Sequence, residues 1–359
     1  MVLSASSVSA VLKYKESPYY FFTRQLVFIV ISYIVGLFII LRMPIKTYKK
    51  LVPFALFGVF SSLAYLLISG DYTNGARSWI DLGFFSLQPS EFAKTVLVLF
   101  MAIYYGNMVD KKNVKYEFFV PLGIAIIIFF LVALQPDLGT AIIIAGIVFL
   151  TFLAIPFPSN QLAKTLKIIG GTVAVLMMVF ILSGSDFLTD MQKSRLTFKA
   201  PCTRYTEETG YQVCNGFIAI NNGGLLGKGL GNSTQKYLYL PEAHTDFIFP
   251  IIVEEIGVLG ATVVLLMYIL LLFRLLKISK EASTIRGSII AYGTFCYITI
   301  HLAINLLGIL ALIPLTGVPV PFLSYGGSFL MNVLLLMFVN ERIAIETNIH
   351  KENQIIRSL

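Results

Sequence analysis

The sequence predicts an all-α polytopic membrane protein of nine transmembrane helices with one long extracellular loop, and three observations carry that expectation. Of the 359 residues 57% are hydrophobic and only 13% charged, where a soluble domain carries about 25% charged residues. That balance excludes a soluble globular enzyme and a disordered chain alike. The apolar residues gather into nine long runs, and the basic residues gather in alternate connections between them. The net charge of +8 then records topology and needs no nucleic-acid partner.

The runs cover 21–41, 51–69, 92–106, 118–134, 138–155, 166–183, 247–273, 288–312 and 322–340. Each is expected to be helical, because the hydrocarbon core has no water to satisfy backbone N–H and C=O groups. The connections 42–50, 107–116, 156–167 and 274–286 and the tail 341–359 carry 4, 3, 2, 4 and 3 Lys or Arg, 16 of the 27. These segments are assigned to the cytoplasm and the tail 341–359 with them, which leaves the amino end outside. The loop 184–245 has six basic residues, but loops of about 60 residues cross largely regardless of charge. Residues 1–10 have neither the charged nor the apolar region of a signal peptide, so either the first span inserts unaided or a helix precedes it. The whole of 1–359 reads as a single membrane domain.

Chemistry is sought in polar groups at membrane depth and in long outer loops. The segment DYTNGARSWIDLGFFSLQPSEFAK, 71–94, has a turn at Asn74-Gly75 and the only tryptophan, Trp79, which suits the interface. Pro89-Ser90 makes a helix start, and Glu91 and Lys94 then share a helix face. They read either as a local ion pair or as part of a substrate path, with Arg77 nearby in sequence. The second outer segment holds NNGGLLGKGLGN, 221–232, then QKYLYLPEAHTDFIF, 235–249. The glycines fail both phosphate-loop fingerprints, since Gly229 follows Lys228 and Asn232 ends the series. Tight turns are one reading of this stretch. Backbone amides beside Lys228 and Lys236 holding a lipid pyrophosphate are another.

Asp246 is the sharpest candidate. It stands at the mouth of a very apolar helix, beside His244 and with Glu242 upstream. A carboxylate there either complements the helix dipole or serves as a general base. Pro250 suits a first helical turn but disfavours helical dihedrals at Phe249, so Asp246 is expected to project from an extended cap. Glu254 and Glu255 follow in the same span. About 100° per residue places only Glu254 within reach of a shared cavity, and neither acid is expected to face lipid. Asp137 in QPDLGT and His301 and Asn305 in the eighth run raise the same question, with an interhelical hydrogen bond the ordinary role for His301. The segment IPLTGVPVPFLSYGGS, 313–328, carries three prolines and three glycines and is expected to form a re-entrant or capped turn. Cys296 lies inside a span, while Cys202 and Cys214 share the outer loop, where a disulfide is permitted.

Taken together, GARSWIDLGFFSLQPSEFAK, QPDLGTA, GGLLGKGLGNSTQKYLYLPEAHTDFIF, EEIG and TGVPVPFLSYGGS resemble the shape, elongation, division and sporulation (SEDS) family over nearly the whole chain. GNSTQK followed by YLPEAHTDF is closer to its FtsW and SpoVE branch than to RodA. The resemblance implies a peptidoglycan glycosyltransferase of the bacterial cytoplasmic membrane, with its catalytic face outside. It would polymerise lipid II in cell division beside a class B penicillin-binding protein and other divisome proteins. It places the catalytic aspartate on Asp246 and the PSEF(x)K pair on Glu91 and Lys94. Arg77, Asp137, Arg195, Lys228, Gln235, Lys236, His244 and Ser324 become candidates for binding lipid II or the undecaprenyl-pyrophosphate-linked glycan, and Glu254 a supporting acid. A divalent cation, Mg or Mn, held by Asp246 with a neighbouring acid is a further expectation. The family has ten spans and MVxSAS closes its first, so this chain, starting MVLSAS, is expected to lack that helix. Pro250 and Val253 stand where small residues are usual, and 199–212 is lineage-specific. A lipid II flippase and a scaffold for the penicillin-binding protein are the rival functions.

Overall fold

The computed structural model describes residues 1–69, 77–83, 85–108, 119–155, 198–241 and 243–358, with Lys167 and Gly171 besides. Ten α-helices stand among them: α1 (Val2–Leu12), α2 (Tyr20–Val35), α3 (Tyr48–Ser69), α4 (Pro89–Met108), α5 (Val120–Ala133), α6 (Leu138–Leu153), α7 (Glu208–Gly223), α8 (Ile248–Glu281), α9 (Ile285–Ile309) and α10 (Gly327–Ser358). A π-helical stretch, Gly36–Ile40, extends α2. Five of these elements are long and apolar enough to cross a membrane, and α1, α5 and α6 are shorter apolar helices. The chain is a multi-pass helical membrane protein. The predicted run 166–183 lies outside the described residues.

Eight of the nine runs coincide with α2, α3, α4, α5, α6, α8, α9 and α10. The starts follow local chemistry. Pro89 opens α4, where its missing N–H costs nothing. Asp137 caps α6 by accepting from the Thr140 amide, and Thr284 caps α9 through the Gly287 amide. Two helices were not foreseen. α1 lies in the amino-terminal segment with Ser6, Ser9 and Ala10 wholly buried. α7 lies within the loop read as 184–245, and α10 runs on through the segment read as a tail, 341–359. A two-stranded hairpin, β1 (Ile80–Asp81) with β2 (Ser86–Leu87), precedes α4 and pairs Ile80 with Leu87.

Two cores organise the bundle. One joins α3, α4, α5 and α6 to α9 and α10 around Leu63, Leu97, Met101, Ile128 and Ile144. The other joins α7 and α8 to α9 and α10 around Phe247, Ile251, Tyr297 and Val333. Cys202 and Cys214 form a disulfide that ties a short 3₁₀ turn to α7.

α8 is not the continuous span the hydropathy predicts. Gly257 has φ +73° and ψ 174°, which breaks the helix nine residues in. The break opens backbone groups that the Gly-rich connection satisfies. Lys228 and Gly229 donate their amides to the carbonyls of Glu254 and Glu255, and Val258 and Leu259 donate to those of Gly224 and Leu225. A Cβ at position 257 would stand 2.2 Å from the Leu225 carbonyl oxygen, so both conformation and space require glycine. Gly257→Ala should destabilise the fold by about 2 kcal/mol or more, read as a lower thermal midpoint in detergent. Peptide mass spectrometry of unreduced protein should recover Cys202 and Cys214 linked; two freely alkylated thiols would contradict the pairing.

Candidate functional site

Asp246 lies in a turn, 243–247, immediately before α8 and is 8% exposed. Pro250 is accommodated within the first helical turn, and Phe249 is helical despite preceding it. The turn is sewn to the Pro/Gly segment between α9 and α10. The Asn305 side-chain amide donates at 2.7 Å to the carbonyls of both Asp246 and Val318. The Ser324 hydroxyl donates to the Thr245 carbonyl at 2.5 Å and accepts from the Val320 amide at 2.8 Å. The Tyr325 amide donates to the His244 carbonyl. The Thr245 hydroxyl donates to Asp246 Oδ1 at 3.1 Å, and a side chain on Gly317 would stand 3.5 Å from Oδ2. Thus 313–326 is irregular, as the re-entrant or capped turn expected of it requires, and Val318, Val320, Pro321 and Ser324 are buried against protein. The His244 ring packs on Phe21 and Tyr325, with centroids at 4.5 and 5.8 Å.

A second polar group sits at the start of α4. Lys94 Nζ approaches the two Glu91 carboxylate oxygens at 2.7 and 2.8 Å, with both residues almost wholly buried. His301 Nε2 lies 2.9 Å from the same ammonium. The Tyr297 hydroxyl donates to Glu91 at 3.1 Å, and Asn332 donates to the Glu91 carbonyl. Replacing one partner of such a pair leaves an uncompensated buried charge, so each member of the group depends on the others. From just before α4, Ser78 and Gln88 donate to Asp137 at the start of α6 at 3.3 and 3.2 Å, and Arg77 donates through its amide to the Gln135 carbonyl and through its guanidinium to that of Leu67.

The expected sharing of a cavity between Glu254 and Asp246 is replaced by a different arrangement. Glu254 accepts from Ser233 and Thr234 at 2.6 Å, the Gln235 amide at 3.1 Å, Lys228 at 3.0 Å and Asn222 at 3.3 Å. Glu255 pairs with Lys236 at 3.1 Å and accepts from Ser4 on α1. Both acids are buried in protein, as expected at that depth. The physical reason is the break at Gly257, which brings the glycine connection against this turn of α8. Lys228, Gln235 and Lys236 therefore hold carboxylates of their own chain. Arg195 and Glu242 lie outside the described residues. No three His, Cys, Asp or Glu side chains gather to hold a metal among the described residues, and Glu254 is already met by five donors of its own chain.

The structure therefore joins Asp246, His244 and Ser324 in one group, Glu91, Lys94 and His301 in a second, and Asp137 with the hairpin in a third. α9 connects the first two, since His301 and Asn305 are one turn apart. Asn332, Tyr297, Ser233 and Thr234 complete these networks without having been singled out. A polar residue inside an apolar run is the signal for Asn332, whereas nothing local distinguishes the others.

The sequence profile of the cell cycle protein family that includes FtsW, RodA and SpoVE matches residues 1–349. The chain is 37% identical over 345 residues to the probable peptidoglycan glycosyltransferase FtsW of Bacillus subtilis, covering 94% of this chain and 83% of that protein. It is 36% identical over 350 residues to stage V sporulation protein E of the same organism, covering 94% and 90%. Among solved structures it resembles a chain from a study of how a peptidoglycan synthase complex coordinates polymerization and crosslinking, with TM-score 0.71, 23% identity and 94% coverage of both. It also resembles the rod shape determining protein RodA of Thermus thermophilus, with TM-score 0.64, 22% identity and coverage of 95% and 91%.

Glu254→Ala should lower stability by about 3 kcal/mol, because it strands the buried donors that now converge on the carboxylate. Thermal unfolding in detergent, compared with a surface variant such as Glu352→Ala, measures this.

Proposed function

The chain belongs to the FtsW/RodA/SpoVE family of cell cycle proteins, and on that premise we propose that it is a peptidoglycan glycosyltransferase polymerising lipid II in cell division. The observation that carries the site assignment is the Asp246 carboxylate, set at the mouth of α8 on a turn whose backbone carbonyls, at Asp246 and Thr245, are held by Asn305 and Ser324. Asp246 takes the proton from the 4-hydroxyl of the lipid II GlcNAc. That oxygen attacks the anomeric carbon of the growing chain, and undecaprenyl pyrophosphate departs with inversion. The leaving group is already stable as an anion and needs no acid catalyst. It needs positive charge, for which the proposed sources are Arg77 and Lys94, the latter acting through its field because its three hydrogens are held by Glu91 and His301.

Two further features support a lipid-borne substrate. An apolar cavity of about 250 Å³ begins at Phe92, one residue from Glu91, and is lined also by Leu99, Leu335 and Tyr48. Such a lining suits a polyprenyl chain. The charge bias of the connections sets the Asp246 turn outside and the carboxyl end in the cytoplasm. A flippase would want intramembrane acids as a proton relay. Here Glu254 and Glu255 are instead closed in ion pairs with Lys228 and Lys236. A class B penicillin-binding protein is the proposed partner, in keeping with the polymerising and crosslinking complex to which a structural neighbour belongs.

Losing a general base typically costs about 10² to 10⁴ in rate. Asp246→Asn should therefore lose polymerisation by that margin while inserting in the membrane normally. Purified protein with lipid II and its transpeptidase partner, followed by gel analysis of glycan strands, tests this; undiminished strand synthesis would overturn the role of Asp246.

A further inference from the structure

His301 is wholly buried, and the transfer described above does not use it. An ionisable ring at membrane depth is costly unless a neighbour balances it or uses it. Its Nε2 lies 2.9 Å from Lys94 Nζ, and that ammonium also reaches the two oxygens of Glu91 at 2.7 and 2.8 Å. An ammonium has three hydrogens and no acceptor site. Nε2 is therefore the acceptor, the imidazole is neutral, and its proton rests on Nδ1. The three hydrogens of Lys94 meet three acceptors.

The ring that provides this acceptor is held between two others. It stacks on Tyr297 with centroids 4.7 Å apart and planes 17° apart, and packs on Phe329 at 5.1 Å. Its helix is held as well. A Cβ on Gly293, two turns earlier in α9, would come within 2.4 Å of Val98 on α4, so only glycine admits this approach of the two helices. One turn beyond His301, about 6 Å along the axis, Asn305 donates to the Asp246 carbonyl. A single helix thus presents an acceptor to Lys94 and a donor to the turn that bears Asp246.

We propose that His301 is a positioning residue for Lys94: its neutral Nε2 aims the ammonium, and α9 keeps that cation in register with Asp246. The inference rests on the reading of Lys94 as a cation that acts in glycosyl transfer. It goes beyond an interhelical contact, because it makes the acceptor atom, and not the ring's bulk, the property that matters.

The test uses the full chain with its transpeptidase partner and fluorescent lipid II, and compares His301→Leu, His301→Gln and Lys94→Met. His301→Leu should lower kcat by about 10- to 100-fold, the range for losing a hydrogen bond to a charged group, with KM little changed. His301→Gln keeps an acceptor of similar reach and should recover most of the rate. Parental activity in His301→Leu overturns the proposal, as does an equal loss in both variants with a matching fall in thermal midpoint. Lys94→Met at the parental rate overturns the reading of Lys94 and this inference together. An inactive Lys94→Met beside a fully active His301→Leu overturns this inference alone.

Discussion

A charge survives in the hydrocarbon core only where the chain itself replaces water, and that requirement shapes this protein from α1 to α10. Glu254 is the clearest case. Five donors from residues 222–235 converge on one carboxylate, and the backbone around it is equally saturated. The glycine connection can reach it only because α8 breaks at Gly257, and the break is tolerable only because the connection satisfies the groups it exposes. The two features are a single solution. Ser4 and Lys236 meet one oxygen of Glu255 and draw α1 into the assembly.

The Asp246 turn depends on this foundation. With the lower half of α8's first segment fixed by Glu254 and Glu255, its upper end is free to carry a non-helical turn whose carbonyls point to Asn305 and Ser324. The prolines of 313–328 withhold amides that a helix would need, and the irregular segment instead turns the Ser324 hydroxyl and the Tyr325 amide onto the Thr245 and His244 carbonyls of the Asp246 turn. α9 then sets the spacing to the Lys94 pair. The proposed base and the proposed cation are held by two different helices and two loops, yet both are referred to one rigid element.

Much of this was legible beforehand. Eight apolar runs fall on described helices, since a span must be helical and must be long. Pro89 marked the start of α4, and the i, i+3 spacing of Glu91 and Lys94 anticipated their ion pair. The three prolines and glycines near Val318 announced an irregular turn. The helical wheel failed at Glu254, because it gives only an angle about the axis: Asp246 lies in a turn before the helix begins, and the donors that take Glu254 come from another element. It could not show that Lys228, Gln235 and Lys236 would turn inward, since their partners lie about 20 residues away in another element.

Hydropathy and charge bias alone determined that the chain is a multi-span helical membrane protein, because the bilayer imposes length and internal hydrogen bonding on any span. The motifs alone pointed to Asp246, Glu91 and Lys94. Only the tertiary structure decided which acids and lysines pair off and which remain at the site. That division follows from the physics: burial of a charge is a property of everything packed around it, and His301, Asn305 and Asn332 acquire their partners solely from the way α9 and α10 cross α4 and α8.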